Sequence, residues 1–196
     1  MHGVLVGAYS IAASVLVVSG VWKIARPAGI TRAISTLGFA APRFSGRMLG
    51  VVEASVGGFG LLGSGVIPSV LVAGAYGLFV VAVIILMRRG DVSSCGCFGE
   101  VESPPSAFHL AFNLNAMLVA FGHAAVGGWE GLGPFARETP ASGVPFLAFI
   151  IIGSASSIAM LTMVPRVAAL RRTLATEAGA RHSISPEDDS DVRLSP

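Results

Sequence analysis

The sequence predicts an all-α membrane protein, a multi-pass transmembrane helical bundle. Three observations lead there. Apolar residues make up 53% of the chain and charged residues only 12%, against about 25% charged in a soluble globular domain. The charges are gathered into short stretches between long apolar runs. Five of those runs approach or reach the roughly 18–20 residues that cross a hydrocarbon core. Lipid offers peptide groups no hydrogen-bond partner, so such runs are expected to be helical.

The expected spans are residues 4–22, 48–67, 68–87, 108–129 and 144–164, which together make a membrane domain over 1–164. The first resembles a signal peptide in position only. It has no basic segment before it and is followed by Lys23 and Arg26, so it reads as a retained helix. Between the first and second spans Ile30, Ala33, Ile34 and Leu37 recur at helical spacing, flanked by Arg32 and Arg43. A short interfacial helix is expected there. The second span holds one charge, Glu53, and the third none. The helix that contains Glu53 presents Gly46, Gly50, Ala54 and Gly58 every four residues, a small-residue stripe that Glu53 borders and that suits close helix approach. The fourth carries His109, Asn113, Asn115 and His123, and the fifth is uncharged. Residues 165–196 begin basic (Arg166, Arg171, Arg172) and end acidic (Glu187, Asp188, Asp189, Asp191). This polar tail is expected to be disordered beyond its first turns. The net charge is only +2, and the basic residues flank apolar segments as membrane anchors do. The lipid bilayer is therefore the expected partner, and nucleic acid is not. No sequence feature requires a cofactor.

Counting spans places the unusual residues. With the side on which the first span ends denoted X, the second begins at X, the third ends there and the fourth begins there. Lys23, Glu53, the loop with Cys95 and Cys97, His109 and Asn113 then converge on the X side. Of the 13 Lys and Arg residues, all but Arg137 also fall at X. By the positive-inside rule X is cytoplasmic.

Cys95 and Cys97, the chain's 2 cysteines, are separated by Gly96. A bridge between them needs Cα atoms roughly 4.4–6.8 Å apart, which a turn at Gly96 allows. So small a ring would be strained and easily reduced. Three readings stand: a redox-active dithiol, a pair of inert thiols in a tight turn, and half of a zinc site with His109 as third ligand. Glu53 lies too deep to stay unpaired and is expected to meet Lys23 or Arg47. It would serve as a structural partner or as a proton acceptor for thiol ionisation. His109 and Asn113 either bond between helices or line the thiol site, where an imidazole favours the thiolate.

These residues together resemble the MauE family, named for methylamine utilisation, within a wider MauE/DoxX-like group of redox-associated membrane proteins. The resemblance lies in Ser19-Gly20 with Lys23 and Pro27, in Arg47 with Glu53 and Gly57, and in Cys95-Gly96-Cys97-Phe98-Gly99 followed by Asn113. It covers about residues 10–127. It implies a four-helix core, here with a fifth C-terminal helix added. It also implies a redox role in maturing a disulfide-rich protein alongside a thioredoxin-like partner. Cys95 and Cys97 would be the catalytic thiol pair, and Lys23 and Glu53 buried polar positions. Such a role implies exoplasmic thiols, opposite to the side the charges favour. The expected function is thus thiol–disulfide exchange with a thioredoxin-like protein or a maturation substrate. The alternatives are a non-catalytic subunit that stabilises a partner, and a small-molecule transporter using Glu53.

Overall fold

The computed structural model describes residues 2–36, 38, 42, 44–89, 106–127 and 140–183. They form α1 (His2–Ala25), α2 (Ala28–Thr36), α3 (Ser45–Leu62), α4 (Val66–Arg89), α5 (Ala107–Ala125) and α6 (Pro140–Ser183). The protein is an all-helical membrane bundle. α1, α4 and α6 contain segments long and apolar enough to cross a bilayer. α3 and α5, at 18 and 19 residues, are shorter and carry the polar side chains of the second and fourth expected spans. α1 packs most closely on α3, and α4 on α5. α1 also touches α5 and α6, and α3 touches α4.

The core is built from small residues and two tyrosines. Tyr9, Ala12 and Leu16 of α1 meet Val72, Ala73 and Tyr76 of α4 and Ala116 and Ala120 of α5. Nothing hydrophobic drives helices together inside lipid, so close van der Waals contact and hydrogen bonds must do it. The α1–α3 seam shows how. A β-carbon on Gly20 would sit 2.5 Å from the Ala54 amide nitrogen and 2.6 Å from the Gly50 carbonyl. One on Gly57 would sit 2.7 Å from the Ala13 carbonyl. The backbones touch because these positions carry no side chain.

The small-residue stripe differs from expectation in one member. Gly46, Gly50, Glu53, Gly57 and Gly60 are the buried residues of α3, and Gly58 faces open space. A four-residue step overshoots the 3.6-residue turn by about 40°. Three such steps carry Gly58 off the face that Gly46 begins, whereas Gly57 stays on it.

The α3–α4 turn comes earlier than the boundary expected at 67/68. α3 stops at Gly63, whose amide bonds the Phe59 carbonyl at 2.8 Å. Gly65 turns the chain with φ of +83°, a conformation that glycine adopts readily. Pro68 falls in the first turn of α4, where the amide it lacks would have no partner within the helix. α2 forms where the amphipathic spacing predicts a helix. It buries Ile30 and Ala33, with Ile30 against Gly46 of α3; Leu37 lies outside the described residues.

The expected boundary at 164 is not a helix end. α6 runs 44 residues and contains Pro145 and Pro165. Its length of about 66 Å is twice the roughly 30 Å hydrocarbon core. The segment after Pro165 is rich in Ala, Leu and Arg, all strong helix formers, so the polar tail continues as helix to Ser183. The acidic residues from Glu187 to Asp191 lie outside the described residues.

The seam yields a testable contrast. Gly20→Ala should lower stability in detergent by roughly 1–3 kcal/mol or more, as overpacking does. Gly58→Ala should leave it unchanged or slightly raised. Thermal unfolding of the two variants checks this.

Candidate functional site

α1 and α3 run antiparallel, and their contact face carries the first polar group. Lys23 lies one turn beyond Ser19 on α1, and Glu53 sits midway along α3. The Lys23 ammonium is 2.5 Å from Glu53 Oε2 and donates to Ser19 Oγ at 2.7 Å. The Ser19 hydroxyl donates in turn to the same Glu53 oxygen at 3.1 Å. Lys23 is 1% exposed and Glu53 2%. A cation and an anion at this depth are sustained only by each other and by hydrogen bonds, because desolvating either alone costs several kcal/mol (~20 for an idealised ion). Of the two partners expected for Glu53, the structure selects Lys23. Arg47 is exposed. The Phe79 ring lies 5.2 Å from the Lys23 nitrogen, within reach of a cation–π attraction. The second carboxylate oxygen, Glu53 Oε1, is buried without a hydrogen-bond partner among the described residues.

α5 brings the second polar group to the same place. His109 is 1% exposed and stands in its first turn. Its Nδ1 pairs with Ser106 Oγ at 2.9 Å, which fixes the ring. Its Nε2 is buried and has no partner among the described residues. Asn113, one turn further on, is buried as well, while Asn115 faces outward. Lys23, Ser19, His109 and Asn113 line one small cleft, of about 30 Å³, between α1, α4, α5 and α6. The structure thus gathers Lys23, Glu53, His109 and Asn113 at one end of the bundle. It is the end where α4 stops at Arg89 and α5 starts at Ala107, the helix ends that the cysteine loop joins. Cys95 and Cys97 themselves lie outside the described residues. Among the described residues, no three His, Cys, Asp or Glu side chains cluster as metal ligands would.

Sequence reasoning left two features without a structural role. Ser19 mediates between the charges, and its i,i+4 spacing to Lys23 was the available signal. The other feature lies toward the opposite end. His123, assigned no role from sequence, is 1% exposed. It stacks on Tyr9 with ring centroids 4.0 Å apart and planes 2° apart, and its Nδ1 pairs with Ser69 Oγ at 2.8 Å. Between the two polar layers the Tyr76 hydroxyl donates to the Ala12 carbonyl at 2.7 Å.

A family model described as methylamine utilisation protein MauE matches residues 2–130. The match includes Lys23, Glu53, the Cys95–Cys97 segment, His109 and Asn113, and excludes α6. No curated protein and no solved structure matches the chain.

The buried pair makes a sharp stability prediction. Lys23→Met or Glu53→Leu alone strands a charge and should cost roughly 3–5 kcal/mol. The double variant should recover most of that loss, because it removes both desolvation costs together. Unfolding of the singles and the double in detergent measures the coupling; additive losses would refute the pairing.

Proposed function

The chain belongs to the MauE family, and we propose that it is a multi-pass membrane thiol–disulfide protein acting through Cys95 and Cys97. The observation that carries this reading is the polar assembly of Lys23, Ser19, Glu53, His109 and Asn113 at the helix ends from which the Cys-Gly-Cys loop springs. Five helices cross the bilayer, α1, α3, α4, α5 and α6. The partner is a thioredoxin-like protein or a protein whose disulfides mature by exchange.

The chemistry balances without a cofactor. One thiolate attacks a sulfur of the partner's disulfide and the other partner sulfur leaves as thiolate. The second cysteine then attacks the mixed disulfide, closing the Cys95–Cys97 bond and freeing the partner's second thiol. Two electrons and two protons pass to the partner, and the reverse sequence oxidises it. The thiolate is the nucleophile, so a base that takes its proton speeds the exchange. His109 is the candidate base, held by Ser106. Lys23 and Glu53 brace α1 against α3 beneath it.

A second reading, a non-catalytic subunit that stabilises a partner, is favoured by α6. It lies outside the family match and leaves Met160, Met163, Leu170 and Leu174 more than half exposed. On this reading, co-purification with the partner would survive loss of both thiols.

Acid quenching and alkylation of intact cells should trap Cys95 and Cys97 in both oxidised and reduced forms. Cys95→Ser/Cys97→Ser should abolish maturation of the partner. Unimpaired maturation in that variant would end the redox reading. An impermeant thiol reagent should label the pair only after permeabilisation, as the charge distribution requires. Labelling on sealed cells would reverse the orientation and fit maturation of an exported protein.

A further inference from the structure

Asn113 and Asn115 are the chain's two asparagines, and α5 turns them to opposite sides. Two residues apart on a helix, they lie about 200° apart around its axis. Asn113 is buried and lines the cleft beside His109. Asn115 is exposed. It is the ninth of the 19 residues of α5, about 12 Å along the axis from Ala107 and about 15 Å from Ala125. With α5 spanning the bilayer, as the five-span reading has it, this amide stands in the middle of the hydrocarbon. Neither lipid chains nor water can bond it there. The exposed residues of α4 before Arg88, by contrast, are all apolar or glycine. A serine in a membrane helix can turn back on its own backbone, as Ser157 does to the Gly153 carbonyl at 2.8 Å. The two amide protons and the oxygen of an asparagine need a neighbour.

The surface around Asn115 says which neighbour. Ala107 and Ala111 precede it at four-residue spacing and are exposed too. Small side chains in such a row let a second helix come close enough for short side chains to meet across the contact. Leu114, Leu118 and Phe121 complete the face, at 42%, 58% and 62% exposure, and supply apolar contact beside the amide. The face carries no charge that would repel its own copy. An amide is its own complement, because it both donates and accepts. Two copies of this chain in one membrane share their orientation and are related by a twofold axis along the membrane normal, so the same face meets itself. We propose that the protein forms a homodimer through the outward face of α5, with each Asn115 amide donating to and accepting from Asn115 of the partner subunit. The inference rests on α5 spanning the bilayer and does not draw on the thiol chemistry. Asn113 and the cleft lie on the other side of the helix, so pairing leaves them undisturbed.

The test places the full chain, labelled separately with donor and acceptor dyes, in lipid vesicles at falling protein-to-lipid ratios. Energy transfer in wild type should follow a monomer–dimer equilibrium. Asn115→Leu should weaken dimerisation tenfold or more, and Asn115→Gln, which keeps the amide, should retain most of it. Ala111→Leu should weaken it as well, by holding the helices apart. In dilute detergent, where both are monomeric, Asn115→Leu should unfold no earlier than wild type. In a Cys95→Ser/Cys97→Ser background, Leu118→Cys should cross-link to its counterpart under copper phenanthroline. Leu78→Cys, on the exposed face of α4 at 72% exposure, should not. Leu118→Cys should also resist a water-soluble maleimide until the protein is denatured. Ready labelling of it would put α5 outside the hydrocarbon and sink this inference together with the five-span reading. A protected Leu118→Cys in a protein that stays monomeric at every ratio would overturn the dimer and leave the five spans standing. Dimers undiminished by Asn115→Leu, or equal cross-linking at the two cysteine positions, would do the same.

Discussion

The structure depends on how a lysine and a glutamate come to be buried together in an apolar bundle. Neither Lys23 nor Glu53 can exist charged at 1–2% exposure without the other, so α1 and α3 have one rotational setting and one register. The glycines then follow. For the ammonium to reach 2.5 Å from the carboxylate, the two backbones must pass in contact, and Gly20, Gly50 and Gly57 are where they do. Ser19 completes the arrangement by accepting from Lys23 and donating to Glu53. The pair contributes less as net binding energy than as a constraint, because desolvation offsets much of its attraction. What it excludes is every other way of packing two featureless apolar helices.

The bundle carries a second, unrelated polar layer. Tyr9, Ser69 and His123 tie α1, α4 and α5 together toward the other end. Between the layers lie alanines, Leu16, Val72 and the hydrogen bond from Tyr76 to the Ala12 carbonyl. Such a layout fixes the helices at two heights. The small cleft beside His109 lies at the Lys23 height, lined by Lys23, Ser19, His109 and Asn113.

Much of this was legible in the sequence because lipid simplifies the problem. Apolar length gives the helices, and alternation of sides gives which residues share an end. Alternation alone brings Lys23, Glu53, His109 and Asn113 to one end of the bundle. What it lacked was rotation about each helix axis. Four-residue spacing put Gly58 on the seam where 3.6-residue geometry puts Gly57. Ser19, noted only as part of the family resemblance, and His123 were given no role of their own, because a lone serine or histidine in a span has many bland explanations and its partner lies 34 or 54 residues away. The tail misled because composition reports on polarity and says little about helix propensity: the stretch after Pro165 is polar and yet rich in helix formers.

The central claim is that the thiol loop and the buried polar assembly form one working unit. Its most direct test is the rate at which Cys95 and Cys97 are alkylated at pH 7 in the reduced full chain in lipid, compared with His109→Leu. The account predicts a rate several-fold lower in the variant, because the thiols lose the base that takes their protons. Equal rates in the two proteins would show that the thiols and the polar assembly act independently, and would contradict it.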